Sequence, residues 1–175
     1  MSELLLGCGK NRDKKLSAQG RAQWSGLVTL DINADHAPDV VHDLNVLPLP
    51  FADEQFEEIH AYDVLEHVGQ QGDWRTFFAQ FSEFWRLLKP GGMLFAISPH
   101  PTSSWAWGDP GHTRVISPEC LTYLIQPQYC QVGVTAMTDY RFVYTADFDR
   151  IHCEIHPNGQ FEFALQAVKP SRCAR

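Results

Sequence analysis

The pattern that most constrains the fold of this chain is an aromatic stripe between residues 73 and 89. Its seven members repeat at helical spacing and would cover one face of a helix. They are Trp74, Phe77, Phe78, Phe81, Phe84, Trp85 and Leu88. Asp73 is suited to cap the first turn, whereas Pro90, Gly91 and Gly92 favour a stop. We therefore expect an amphipathic helix over residues 73–89 that leads directly into a strand over residues 93–98.

Short apolar runs elsewhere in the chain predict further strands, separated by helical or loop segments. The strands predicted before the aromatic helix cover residues 4–6, 27–32, 40–42 and 59–64. A helix over residues 14–25 is expected between the first two of these strands. Such alternation is typical of α/β proteins.

The last third of the chain predicts one short helix and then extended structure. Ser117 and Pro118 favour a helix start, and this helix is expected to end near Ile125. Three extended segments follow, over residues 131–143, 147–156 and 160–168. The Pro-Asn-Gly sequence at residues 157–159 predicts a hairpin turn between the last two segments. The sheet is therefore expected to end in an antiparallel edge.

Size and charge exclude several classes of protein. A length of 175 residues suits one domain, which we expect to span residues 1–175. With 14 Lys and Arg against 21 Asp and Glu, the formal net charge of −7 argues against a nucleic-acid partner. The five cysteines include no CxxC pair, so reduced thiols are expected. No segment is typical of a signal peptide or membrane span, which predicts a cytoplasmic protein without a membrane partner and leaves the oligomeric state open.

Glycines and acidic residues follow the predicted strands, at the edge where open α/β sheets bind ligands. Gly7 and Gly9 let the backbone approach a ligand closely, and Asp31 lies 22 positions after Gly9. This separation is close to the one that puts a carboxylate on a ribose diol. A dinucleotide-binding dehydrogenase would have its third glycine at Arg12 and would need a firm helix start for the pyrophosphate. An adenosine ligand without a pyrophosphate fits the pattern better.

Four segments of the chain together resemble a known family. They are GCGKN, LDIN, HDLNVLPLPFADEQFEEIHAYDVLEHV and FWRLLKPGGMLFAISPH, within residues 4–100. In this order they are similar to class I S-adenosylmethionine-dependent methyltransferases, especially the short members that act on small molecules. The resemblance implies a doubly wound, Rossmann-like and mostly parallel sheet of seven strands with an antiparallel last strand. It also implies S-adenosylmethionine as the cofactor.

The resemblance further assigns eight residues to the cofactor, namely Gly7, Gly9, Asp31, Ile32, Asp43, Leu44, Tyr62 and Asp63. By this assignment Gly7 and Gly9 flank the methionine part, and Asp31 holds the ribose hydroxyls. Asp43 accepts from the adenine amino group, with Leu44 beside the ring. Tyr62 and Asp63 would lie near the sulfonium, where a carboxylate suits the positively charged methyl donor.

A loop without periodicity spans residues 99–116 and is rich in Pro, Gly, Ser, Trp and His. Loops of this length in compact domains are often functional, and we expect it to form a lid on the acceptor side. His100 is the first candidate for acceptor contact or general base, and His112 is the second. Trp105 and Trp107 could cover an acceptor, or they could pack the loop down or against a partner chain.

Metal and DNA chemistry receive little support from the sequence. None of the candidate ligands His100, His112, Cys120 and Cys130 has a partner at the short spacing of zinc motifs, so we expect no metal site. The Asp-Pro-Pro-Tyr type segment of amino-directed DNA methyltransferases is missing after the fourth strand. Glu66 and His67, which stand near that position, suit a fold-supporting pair and a site pair equally well.

The function expected from these patterns is methyl transfer to a small molecule, or less readily to a protein side chain. Two alternatives stay open. The first is a catalytically silent module that binds S-adenosylmethionine or S-adenosylhomocysteine, or that serves assembly. It is motivated by Leu5, which stands where the family usually has an acid, and by the lack of a helix before the first strand. The second is an NAD(P)-dependent dehydrogenase.

Overall fold

Seven strands form one sheet in the computed structural model, which describes residues 2–18 and 20–173. The strands are β1 (Glu3–Leu6), β2 (Leu27–Asp31), β3 (Val40–Val41), β4 (Phe56–Tyr62), β5 (Leu88–Pro99), β6 (Phe148–Ile155) and β7 (Gln160–Ala167). Their order across the sheet is β3-β2-β1-β4-β5-β7-β6. The first five are parallel, and the hairpin of β6 and β7 adds to β5 in the antiparallel sense. This arrangement confirms the predicted doubly wound, mostly parallel sheet with an antiparallel last edge.

The helix predicted from the aromatic stripe is confirmed as α1 (Trp74–Leu87). Asp73 caps it, since its carboxylate accepts a hydrogen bond from the Thr76 amide at 3.1 Å. Phe81 and Phe84 are fully buried against the sheet, as the periodicity predicts. The helix ends two residues earlier than expected because β5 begins at Leu88, which pairs with β4.

The segment between β1 and β2 contains no helix within its described residues, so the prediction of a helix over residues 14–25 is wrong there; Gln19 lies outside the described residues. The segment is attached to the sheet by polar side chains instead. Lys14 Nζ lies 3.0 Å from Glu3 and 2.7 Å from Glu58, and Glu58 also contacts His60 at 3.1 Å. We call these four residues the sheet-face cluster. Apolar contacts of Leu16 and Trp24 with the sheet accompany these ion pairs.

Segments after β5 match the prediction only in part. The loop after β5 includes a one-turn helix, α2 (Trp105–Gly108), and is followed by α3 (Pro118–Thr122), which is shorter than predicted. A 3-10 helix, Gln126–Gln131, comes next. The predicted extended segment 131–143 is wrong, because Tyr140 packs on the aromatic face of α1, 4.8 Å from Phe78 between ring centroids, and the chain turns there. Among the described helices, none is both long and apolar enough to cross a membrane.

Candidate functional site

A cavity of about 400 Å³ lies beyond the carboxyl ends of β1, β2 and β3. Its lining contains Gly7, Gly9, Leu30, Asp31, Ile32, His36, His42, Asp43, Leu44, Asn45, Val64, His67 and Val68. Six of the eight residues that the resemblance assigns to the cofactor are in this wall. The carboxyl edge of a parallel sheet brings them together because successive strands all end on the same side.

The turn after β1 brings backbone rather than side chains to the cavity wall. Gly7 and Gly9 adopt φ values of 56° and 54°, in the left-handed region that glycine enters without strain. A Cβ on Gly7 would lie 2.4 Å from the Val64 side chain, whereas one on Gly9 would meet nothing within 4 Å. Gly7 is therefore required for packing against the segment after β4. Gly9 leaves open space beside the cavity.

Asp31, at the end of β2, is the most firmly positioned side chain in the wall. Its carboxylate accepts hydrogen bonds from the amides of Gly9 and Asn33, both at 2.8 Å, and lies 3.2 Å from His36 Nδ1. Burial by itself would raise the pKa of Asp31, but the hydrogen bonds from Asn33 and Gly9 outweigh it and lower the pKa. The carboxylate is therefore ionised and pre-oriented.

Asp43 and two apolar residues form a second part of the wall. The Asp43 Oδ1 atom accepts from the amide and the side chain of Asn45, at 2.8 and 3.0 Å. Leu44 is buried, whereas Ile32 is 66% exposed although it is a large apolar residue. An exposed apolar side chain in a concave wall is suited to cover a planar ring.

Tyr62 and Asp63 lie outside this cavity. Tyr62 lines a smaller adjoining one of about 230 Å³ together with Gly7, Gly9 and Lys15. Its hydroxyl accepts from the Leu16 amide at 3.1 Å and lies 2.7 Å from His60 Nδ1. Because it is buried, the pKa of Tyr62 is raised.

Asp63 has a φ of 53°, which is uncommon outside glycine but tolerated by aspartate. Its carboxylate pairs with Lys15 Nζ at 3.2 Å on the half-exposed rim of the smaller cavity. The φ value turns the chain sharply after β4. The residues that follow are thereby directed toward the larger cavity.

A cluster of three titratable side chains forms at the carboxyl end of β4. Glu66, His67 and His112 each offer a ligand atom within 4.8 Å of those of the other two, and we call them the strand-end cluster. Glu66 is 2% exposed, and burial raises its pKa. His67 lines the larger cavity, so the cluster is part of the same site.

Hydrogen bonds attach the end of the 99–116 loop to this cluster. The amides of Thr113 and Arg114 donate to the Glu66 carbonyl at 2.9 and 3.3 Å. The buried Arg114 side chain donates to the Leu65 carbonyl at 2.8 Å and to Gln80. The loop therefore crosses the end of β4 and fixes the position of His112.

His100, the first candidate from the sequence, is not among the residues that line the larger cavity. Its Nδ1 atom lies 2.8 Å from the Thr102 hydroxyl, and its ring lies beside Phe161 of β7. Trp105 and Trp107 are each 69% exposed. His112 does not line the larger cavity either, but its ring contacts that of His67, which does, at 4.6 Å between centroids.

Several residues of the cavity wall were not predicted from the sequence. They are His36, His42, Asn45, Val64 and Val68. His42 directly follows β3 and could have been found by taking every residue just after a strand. His36 could not, because a short 3-10 helix, Ala34–His36, turns it back toward Asp31.

The fold and cavity define the class of protein. A seven-stranded sheet with an antiparallel last hairpin and a ligand cavity at its carboxyl edge is the α/β architecture of S-adenosylmethionine-dependent methyltransferases. Residues 4–96, more than half of the chain, match the family described as "Methyltransferase domain". The chain belongs to this methyltransferase family, and membership implies S-adenosylmethionine as the cofactor. No curated protein sequence matches the chain.

Solved structures agree with this fold at low sequence identity. A Mesorhizobium loti S-adenosylmethionine-dependent methyltransferase superimposes with a TM-score of 0.57 at 15% identity, over 94% of this chain and 90% of the other. An Archaeoglobus fulgidus S-adenosylmethionine-dependent methyltransferase superimposes with a TM-score of 0.58 at 17% identity, over 94% of this chain and 86% of the other. A chain from the Haloferax volcanii complex between the Trm112 methyltransferase activator and the putative methyltransferase superimposes with a TM-score of 0.55 at 14% identity. The superposition covers 95% of this chain and 82% of the other. These likenesses confirm the fold.

Proposed function

We propose that the protein transfers the methyl group of S-adenosylmethionine to a small-molecule acceptor. The observation that carries this proposal is the cavity of about 400 Å³ at the carboxyl edge, which brings together six residues that the resemblance assigns to the cofactor. Its volume falls within the range of about 300–1,000 Å³ that is usual for small-molecule sites. Family membership also disfavours the dehydrogenase alternative.

Asp31 would hold the ribose hydroxyls. An ionised carboxylate can accept about four hydrogen bonds, and the Gly9 and Asn33 amides and His36 occupy only part of that capacity. The same amides fix the orientation of the carboxylate before the ligand arrives. Little conformational entropy would then be lost on binding.

Asp43, Leu44 and Ile32 would hold the adenine. The Oδ1 atom of Asp43 is used by Asn45, and this leaves Oδ2 to accept from the amino group of the base. The ring would lie between the exposed side chain of Ile32 and the buried side chain of Leu44. Gly7 and Gly9 would flank the methionine part, and Tyr62 and Asp63 would lie near the sulfonium.

Positioning would be the main contribution of the chain to the reaction. When bound, the cofactor supplies an electrophilic methyl group on a positively charged sulfur. The cavity wall would hold the acceptor in line with this group, and orientation alone can provide much of the acceleration. An acceptor could be held beside the strand-end cluster. His67 of this cluster lines the cavity, and the His112 ring contacts the His67 ring at 4.6 Å between centroids.

The loop over residues 99–116 would form the acceptor-side lid. Its last part is attached to the Glu66 carbonyl, next to the cavity residue His67, and Trp105 and Trp107 are exposed. A small molecule is favoured over nucleic acid by the net charge of −7, since this charge repels a phosphate backbone.

Calorimetric titration with S-adenosylhomocysteine tests this proposal. We expect Asp31→Asn to weaken binding by about 10- to 100-fold, because the loss of one charged hydrogen-bond acceptor costs roughly 1–3 kcal/mol. Asp35→Asn is the matched control, since this exposed carboxylate is close in sequence but is not part of the cavity lining. Equal affinities in all three proteins, or no binding by folded wild-type protein, would contradict the proposal. Transfer of labelled methyl to a protein fraction rather than to small molecules would contradict the assigned acceptor class.

A second function is favoured by one observation. Trp105 and Trp107 are both 69% exposed on the predicted lid, and exposed aromatic residues often mark protein contacts. A cofactor-binding module that needs a protein partner would use such a surface. It predicts that S-adenosylhomocysteine binds normally, that transfer appears only with an added protein, and that in Trp107→Ala the added protein no longer produces transfer.

A further inference from the structure

The strand-end cluster has unsatisfied ligand atoms that the cofactor assignment does not use. It lies at the carboxyl end of β4, where His67 is part of the cavity wall. We propose that Glu66, His67 and His112 bind one divalent transition-metal ion beside the cofactor cavity. The three residues are separated by up to 46 positions in sequence, and the fold brings their ligand atoms within 4.8 Å of one another.

Glu66 provides the main structural reason for this proposal. Its side chain is buried, and its Oε2 atom accepts a hydrogen bond from the Ser98 hydroxyl at 3.1 Å. The Oε1 atom is shielded from water and has no hydrogen-bond partner among the described residues. A buried carboxylate oxygen without a partner is costly, and a metal ion would satisfy it directly.

The two histidines are presented as ligands. The Nδ1 atom of His67 lies 3.1 Å from the Gly111 carbonyl, to which it must donate, so its lone pair is on Nε2. Metal-binding histidines are commonly oriented by such a bond to a backbone carbonyl. His112 Nε2 is 4.0 Å from Glu66 Oε1 and 3.9 Å from Asp109 Oδ2, both too far for a hydrogen bond.

Arg114 is a buried cation that interacts electrostatically with Glu66 but forms no ion pair with it. The guanidinium group of Arg114 donates hydrogen bonds to the Leu65 carbonyl and to the Gln80 side chain. In residues 2–18 and 20–173, the ion-pair partner of Glu66 is the ring of His112 alone. The sheet-face cluster shows the contrasting case, because Lys14 lies within 3.0 Å of both of its carboxylates.

The donor set selects the class of metal. Two imidazoles and one carboxylate suit zinc, manganese, iron or cobalt, whereas magnesium and calcium prefer oxygen ligands alone. Asp109 Oδ2 stands 3.9 Å from His112 Nε2, outside the group of three mutually close ligand atoms. Metal–ligand distances of about 2 Å place tetrahedral ligand atoms about 3.3 Å apart, so the cluster would contract by roughly 1 Å around the ion.

The site also has a consequence for the acceptor, which rests on the proposed function. A metal ion with an open position at the cavity wall would bind a hydroxyl oxygen of the acceptor and lower its pKa. The acceptor class would then be a small molecule with an ionisable hydroxyl. His112 would be a ligand to the ion rather than a general base.

The test is a titration of chelator-treated, tag-free protein with Zn²⁺ alone, followed by Mn²⁺ and Mg²⁺. We expect one Zn²⁺ per chain, weaker Mn²⁺ binding and no Mg²⁺ binding. Glu66→Gln and His112→Gln should each weaken Zn²⁺ binding by at least about 100-fold, since each removes a ligand. Zinc absorption spectroscopy of the wild-type protein should show two imidazole ligands, and this measurement does not depend on the folding of any variant.

His100→Gln and the double variant His152→Gln/His156→Gln are the controls. His152 on β6 and His156 just after it both contact Glu162 on β7, where zinc could bind adventitiously. Loss of the bound zinc in the double variant instead of in His112→Gln would overturn the proposal, as would the absence of stoichiometric zinc. S-adenosylhomocysteine is titrated in parallel. If zinc binds but S-adenosylhomocysteine does not, the metal site is supported and the proposed function is contradicted. If S-adenosylhomocysteine binds but zinc does not, the proposed function is supported and the metal site is contradicted.

Discussion

The sheet-face cluster and the strand-end cluster both bury glutamate beside histidine, yet they differ in what neutralises the charge. In the first cluster, the Lys14 side chain is fully buried and contacts both carboxylates. In the second, no lysine or arginine of the described segments forms an ion pair with Glu66. Because a buried charge is costly without a partner, the first cluster is complete within the chain, whereas the second is suited to an external ligand.

Removal of the buried Lys14 cation should have the largest effect on the difference between the two clusters. We expect Lys14→Met to lower the free energy of unfolding by about 3–5 kcal/mol, since it removes the cation that contacts both Glu3 and Glu58 and leaves Glu58 with the more distant Arg21 guanidinium at 3.8 Å. Lys15→Met is the matched control. Lys15 and Asp63 are about 40% exposed, and such pairs contribute only about 0–1 kcal/mol. Urea denaturation measures both variants, and equal losses would show that burial of the pair is unimportant.

Acid should weaken the sheet-face cluster next. Burial opposes ionisation of Glu58, but hydrogen bonds from His60 and Lys14 outweigh it and lower the pKa to about 2. The pKa of His60 is lowered by burial. Both groups bind protons more readily when unfolded, so stability falls as pH drops below about 6.5 for His60 and from about 4.5 to 2 for Glu58.

The Glu58 part of this acid effect should be about 2 kcal/mol between pH 7 and pH 3, because the loss begins near pH 4.5 and one pKa unit corresponds to about 1.4 kcal/mol. The measurement is the free energy of unfolding between pH 7 and pH 3. Glu58→Gln is expected to show a shallower dependence below pH 4.5. The same slope in wild type and variant would contradict the assignment of this group.

The smallest effect should come from neutralising the strand-end cluster. In metal-free protein, Glu66→Gln should change the free energy of unfolding by less than about 1 kcal/mol, or raise it, because it replaces a carboxyl group whose charged form is disfavoured by burial with a neutral amide, while the Ser98 contact can remain. Thermal and urea unfolding with chelator present measure this change. A loss of 3 kcal/mol or more would mean that the chain already satisfies Glu66.

Much of the fold followed from local patterns in the sequence. The aromatic stripe predicted α1, and the Pro-Asn-Gly turn predicted the hairpin of β6 and β7. In both cases one short segment contains the whole signal. The helix over residues 14–25 was wrong because Lys14 binds carboxylates on β1 and β4, which no local pattern reveals.

The candidate site could also be predicted from the sequence only in part. Gly7, Asp31 and Asp43 were predicted because each follows a strand, and parallel strands end at one edge. Their roles toward the cofactor stay predictions, as do the cytoplasmic location and the single-domain organisation over residues 1–175. The expectation of no metal site rested on ligand spacing in the sequence, whereas the proposed metal site joins residues that are distant in sequence.

The sequence alone determined the elements whose information lies within about ten residues: helical periodicity, glycine turns and acids after strands. Only the tertiary structure decided which distant side chains meet. Glu66 and His112 come together because the loop after β5 crosses the end of β4 and donates two amides to the Glu66 carbonyl. Such contacts depend on the path of the chain through space, and loop closure places no signature at the residues it joins.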